Sequence, residues 1–235
     1  MRPHSFTVTL ALCLFLFTHD ALGQRKSPTG GRIAVVVDER LSALRATPQL
    51  TGKLVRRLGR GRLVAVRSVK TNSDGISFFF VNVTTRTRGW IQRESVVSAS
   101  RLGDDLRLLR LIQNSTGFDR LIRCRIFLDH FRRSSLRPQV LLLLGDTAED
   151  LGAKLSAQAR RKLNTDLTEA PEFSYFLNYN GLDRYNRQGI HFTFNPTTKR
   201  LHYDGLAYRL LLRQYPKSPE AAVARKRLIE RTLIH

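Results

Sequence analysis

Between Leu41 and Val97 short apolar segments alternate with glycine-containing turns, and the stretch ends on Gly89-Trp90-Ile91, which holds the only tryptophan of the 235-residue chain. This punctuation constrains the fold more than any other feature. Ile33 to Val37 is a continuous apolar run rich in β-branched residues, and Leu54 to Leu58 follows a Thr51-Gly52 turn signal. Leu63 to Val66 comes after Gly59-Arg60-Gly61, and Ser77 to Val83 after Asn72-Ser73-Asp74-Gly75, a strong hairpin cue. Strands recurring about every ten residues predict a closed or nearly closed β structure, since a βαβ sheet needs a helix in each connection.

The order of these pieces resembles the bacterial SH3 (SH3b) family. Leu41-Ser42-Ala43-Leu44-Arg45 matches its leucine-rich opening with an arginine, and Leu58-Gly59-Arg60-Gly61 its turn. Leu63 to Val66 and Phe80 to Val83 match its strands, and Gly89-Trp90-Ile91 with Ser95-Val96 its close. Two departures are Ala46-Thr47-Pro48, where the family has Gly-Pro, and a long segment from Val69 to Ile76. The resemblance implies an SH3-like β-barrel over 32–100 that binds a peptide or cell-wall component. Its candidate ligand-binding residues here are Trp90, Phe79 and Arg45. Alternation along Phe78-Phe79-Phe80 sets Phe79 on the face opposite its two neighbours, and Trp90 reads either as core packing or as the wall of a binding groove.

Residues 1–23 have the form of a secretory signal peptide: Arg2, an apolar run from Val8 to Phe17, and the small-residue site Ala21-Leu22-Gly23. The expectation is export to the periplasm, cell envelope or medium, with 24–31 as a linker and no transmembrane helix after cleavage. Cleavage removes Cys13 and leaves Cys124 alone, so the fold must rest on its apolar core without a disulfide. The net charge is +21, and only eight of the 40 basic residues are lysine. Arginine suits bidentate contact with phosphate and carboxylate. Export favours an anionic envelope polymer such as peptidoglycan over nucleic acid as the partner of that charge.

Past Ser100 the apolar period changes from two to about 3.6. Helices are expected over Gly103 to Gln113, Asp119 to Arg133 and Gln139 to Leu163, the second burying Leu121, Cys124, Leu128 and Phe131 on one face. The series Leu141, Leu144-Gly145, Ala148, Gly152 and Ala157 is similar to a tetratricopeptide repeat, a helix pair, with Gly145 and Gly152 permitting close approach. Ala207 to Ala224 also looks like the helix, Tyr215-Pro216-Lys217-Ser218-Pro219 turn and helix of tetratricopeptide-like envelope proteins. Pro216 stops one helix, Ser218 caps the next and Pro219 suits its first position. A hairpin is expected between them, Ile190 to Phe194 with Arg200 to Tyr203, in a register pairing Phe192 with His202.

Catalytic equipment is hard to find. SH3b modules accompany cysteine peptidases of wall peptides, but Cys124 falls mid-helix on an apolar face, far from the electropositive helix start that activates a thiol. In the expected register His191 and His202 lie on opposite faces of the hairpin, so no metal site is assigned. Asp146, Glu149 and Asp150 read as a solvated, salt-bridged helix face. The expectation is an α+β chain, an SH3-like barrel followed by a helical tetratricopeptide-like domain over 101–235 with an inserted hairpin. It would be a non-catalytic adaptor without catalytic, cofactor or metal residues; the alternative is a wall-peptide hydrolase.

Overall fold

The computed structural model describes residue 28, residues 30–166, residue 176 and residues 179–234. The expected signal peptide and most of the expected linker lie outside them. The chain is mixed α+β, an N-terminal antiparallel sheet region followed by helices.

Seven strands form the sheet: β1 (Arg32–Val36), β2 (Ala43–Arg45), β3 (Leu54–Arg57), β4 (Leu63–Thr71), β5 (Ser77–Asn82), β6 (Arg88–Gln92) and β7 (Val96–Val97). Their order is β3-β2-β6-β5-β4-β1-β7, an open sequence with β3 and β7 at its ends rather than a closed ring. The segment that departs from the SH3b pattern is accounted for by β4, which runs on to Thr71. The turn after it is held by the Asn72 side chain, whose Oδ1 accepts from the N–H groups of Asp74 and Ile76 at 3.1 and 2.9 Å. Gly75 there has φ +74°, a conformation that favours glycine.

The unbroken apolar run at β1 has a simple cause. Ala34 and Val36 point into a cluster internal to the sheet, with Leu44, Val64, Val66, Val81, Ile91 and Val96. Val35 and Val37 point the other way, with Val97, into a larger cluster built with the helices. A strand covered on both faces keeps no polar alternation.

The helices are α1 (Asp104–Gln113), α2 (Gly117–His130), α3 (Arg137–Asp166), α4 (Asp183–Asn186), α5 (Leu206–Gln214) and α6 (Pro219–Ile234). Asp104 joins sheet to helix: its buried carboxylate accepts from the Ser98 N–H at 2.7 Å and from Arg101 and Arg107. Two further ties cross the seam, Arg60 to Asp119 at 2.8 Å and Arg123 Nε to the Val37 carbonyl at 3.3 Å. Ser218 caps α6 through the Ala221 N–H at 3.3 Å, and Pro219 opens it, as the turn motif requires. No helix among the described residues is long and apolar enough to cross a membrane.

Two expectations are corrected. The helix expected over Gln139 to Leu163 lies within α3, of 30 residues, and because α3 is continuous the tetratricopeptide-like spacing inside it does not mark a helix pair. Its glycines permit the close approach expected of them: a Cβ on Gly145 would collide with the Tyr208 ring, and one on Gly152 would lie 2.7 Å from the Leu201 carbonyl oxygen. The hairpin, β8 (Phe192–Asn195) with β9 (Arg200–Tyr203), pairs Phe192 with Tyr203 and Thr193 with His202, one residue from the expected register. Lys199, at φ +52°, belongs to the loop, and the Thr198 N–H donates to Asn195 Oδ1 at 2.9 Å. One residue of shift turns every side chain over, so His191 and His202 share a face.

Gly152→Val should therefore destabilise the protein by about 1 to 3 kcal/mol, because the clash is with backbone that cannot rotate away. Ala153→Val, on the exposed side of the same helix, should change little. Urea denaturation of both variants checks the difference.

Candidate functional site

Strands β2, β5 and β6 carry all three expected ligand-binding residues, but on two faces. Arg45 stands opposite Trp90, and Trp90 opposite Phe80, so these three share the face turned away from the sheet's internal cluster. The Phe80 and Trp90 rings lie 5.2 Å apart at 58°, and both are half-buried. Trp90 belongs to neither buried apolar cluster. Arg45 Nη1 donates to the Gly52 carbonyl at 2.8 Å, which ties the β2–β3 turn and fixes the guanidinium beside the tryptophan strand.

Phe79 faces the opposite way. It pairs with Ile91 across β6 and packs against the internal cluster, where that cluster opens to solvent. The opening is a cavity of about 210 Å³, walled by Ala34, Val66, Val69, Phe79 and Val96. The Arg101 guanidinium carbon sits 5.4 Å from the Phe79 ring centroid and closes one side. Arg32 and Arg93 reach the rim, are exposed, and form no ion pair among the described residues.

Sequence reasoning named Phe79 but missed the residues that build its surroundings. Arg101 was legible only by its place at the start of the helical half, and Asp104 only by its place in the first expected helix. The fold puts both beside the mouth of the sheet. Arg107 continues the arrangement: it donates to the Glu94 carbonyl at 2.8 Å and to the Val96 carbonyl. Burial lowers its pKa and the neighbouring Asp104 carboxylate opposes that shift.

The residues weighed for chemistry are dispersed. Cys124 lies fully buried in α2 with Leu121 and Phe127, and burial pushes its thiol up to about 12. An activated thiol has the reverse environment, exposed and electropositive. His202 Nδ1 lies 3.0 Å from Glu149 Oε1, and its Nε2 lies 3.3 Å from Thr198 Oγ1, while His191 is exposed. Among the described residues no three His, Cys, Asp or Glu side chains are grouped to hold a metal ion. The acidic face of α3 is salt-bridged as expected, with Asp150 exposed but Asp146 and Glu149 half-buried. Asp146 accepts from the Tyr208 hydroxyl at 2.8 Å and from Arg227 at 3.2 Å, which ties α3 to α5 and α6. No protein-family model matches the chain, and no curated protein or solved structure matches it either.

Cys124 should react with iodoacetamide in the native protein at pH 8 at least about a hundredfold more slowly than in urea, because the buried thiol stays protonated. The raised pKa also fixes the sign of a pH effect. Stability is unaffected below pH 9, where folded and unfolded thiols are both protonated, and declines between 9 and about 12 as only the unfolded thiol ionises. Rapid native labelling at pH 6 would contradict this picture.

Proposed function

We propose that the chain is a non-catalytic binding protein whose N-terminal sheet, an SH3b-like barrel, captures an apolar side chain of a peptide or cell-wall component beside an acidic group. In this reading it is an exported bacterial adaptor of the periplasm or cell envelope, and its C-terminal helices, with the tetratricopeptide-like turn from Tyr215 to Pro219, form a protein-docking surface.

The observation that carries the reading is the cavity beside Phe79. Its walls are hydrocarbon, its volume of about 210 Å³ suits a side chain rather than a whole cofactor, and guanidinium groups stand at its rim. An apolar wall rejects a charged side chain, whereas Arg32 and Arg93 favour a carboxylate next to the inserted group. A peptide ending in leucine or phenylalanine satisfies both demands, as does an apolar residue beside an acidic one. The aromatic row Phe80–Trp90 with Arg45 lies on the opposite face and offers a second, flatter surface for the same class of ligand.

The test is fluorescence anisotropy with labelled peptides ending in leucine and with soluble peptidoglycan fragments. Saturable binding is expected, weakened about tenfold or more by Val69→Trp, which fills the cavity, and by Arg93→Glu, which reverses the rim charge. Both positions are exposed, so neither change should lower the melting temperature appreciably. Should Trp90→Ala abolish capture without changing the melt while the two cavity variants bind normally, the outer aromatic row is the site instead. Absence of saturable binding to either probe contradicts the proposal.

A further inference from the structure

The second large feature of the seam lies on its other side. A cleft of about 810 Å³ opens between the Asp38–Arg40 turn, the Arg60 turn, the start of α2 and the middle of α3. Five basic side chains line it, Arg40, Arg60, Arg123, Lys154 and Arg184, against three acidic ones, Asp38, Glu39 and Asp119. The acids are already engaged. Asp38 accepts from Arg40, Glu39 accepts from the Arg60 N–H at 2.9 Å, and Asp119 accepts from Arg60 Nη1 and Nη2 at 2.8 and 3.3 Å.

Two guanidinium groups are left sharing one carboxylate. The Arg123 side chain is 8% exposed, its Nε donates to the Val37 carbonyl, and the nearest Asp119 oxygen lies 3.9 Å away. Among the described residues its Nη nitrogens, which are open to solvent, meet no hydrogen-bond acceptor. Arg60 Nε is buried and also lacks one. Asp119 itself is 57% exposed, so its screening by solvent weakens what it returns to the two cations. Positive charge held this far from bulk water favours further pairing and hydrogen bonding.

The start of α2 adds donors of the same sign. Thr116 makes no side-chain cap bond, and Thr116, Gly117, Phe118 and Asp119 at the first turn of this 14-residue helix line the cleft. Gly117, at φ +58°, lets the backbone turn into the helix there. Lys154 stands exposed on the facing wall, and Arg184 is held over the Phe118 and Tyr185 rings at 4.9 and 4.7 Å from their centroids.

We infer that this cleft is a binding site for the phosphate group of a phosphorylated ligand, held by Arg123, Arg60 and Lys154 with the N-terminal amides of α2. A tetrahedral oxyanion supplies the acceptors that these donors lack, and arginine with helix amides is a suitable donor set for it. The site is separate from the cavity beside Phe79, so either assignment can fail without the other. Because its walls come from both sheet and helices, occupancy would also strengthen their docking.

Titration of the full chain with sodium pyrophosphate by calorimetry, at ionic strength held constant with sodium chloride, tests the site. Saturable binding is expected, accompanied by a rise in melting temperature. Lys154→Glu, an exposed substitution that should fold normally, should weaken it about tenfold or more. Lys226→Glu, equally exposed but on α6, should leave it unchanged; it controls for the general basicity of the chain. Vesicles of anionic phospholipid supply the same group from a lipid. Binding there that Lys154→Glu reduces and Lys226→Glu does not makes a headgroup the occupant, and binding to pyrophosphate alone makes it a soluble phosphate ester. No saturation with either probe, or equal weakening by the two lysine variants, overturns the inference.

Discussion

The two-sided burial of β1 is the constraint on which the rest of the structure depends. One short strand supplies Ala34 and Val36 to the cluster inside the sheet and Val35 and Val37 to the cluster shared with the helices. Val96 and Val97 repeat the division one strand over. Neither cluster is complete without this pair of strands, so sheet and helices cannot separate without exposing valines that a free sheet would leave to water. The cavity beside Phe79 and the cleft beside Arg123 flank this seam.

Arginine does much of the polar work along it. A buried carbonyl or carboxylate near a helix end needs donors, and one guanidinium presents five in a fixed plane. Arg107 serves the Glu94 and Val96 carbonyls together with Asp104, and Arg120 serves the carbonyls of Ile112, Gln113 and Ser115 where α1 ends. Arg137 reaches the Leu128 carbonyl and the Tyr215 hydroxyl. Part of the excess of arginine is thus structural. The positive charge that remains once the carboxylates are satisfied is what makes the Arg60–Arg123 cleft a site for an anion.

Local signals foretold local structure well. Asn72 to Gly75 marked a hairpin and Ser218-Pro219 a helix start, because each depends on neighbours within a few residues. Ile33 to Val37 was legible as a strand, yet its lack of alternation also meant two covered faces, a meaning visible only once the second cover is known. Gly145 and Gly152 were legible as points of close approach, but their partners, Tyr208 and the Leu201 backbone, were not. The hairpin register turned on Lys199 adopting a left-handed conformation, which residue type alone does not announce. Of the three residues named from sequence order, Phe79 lines the cavity while Arg45 and Trp90 lie on the opposite face of the sheet, and Arg101, Asp104 and Arg123 were not named as site residues. Those three act through partners on other elements, Phe79, Ser98 and the Val37 carbonyl among them.

If β1 couples the two clusters, sheet and helices unfold as one unit. Trp90 is the sole tryptophan and reports on the sheet, while ellipticity at about 222 nm is dominated by the helices. Equilibrium urea denaturation followed by both signals should give coincident transitions. Val35→Ala should shift both midpoints equally, at a cost of about 2 kcal/mol. Two separated transitions, or a Val35→Ala shift confined to the helical signal, would show that the sheet stands without its helices and contradict the account.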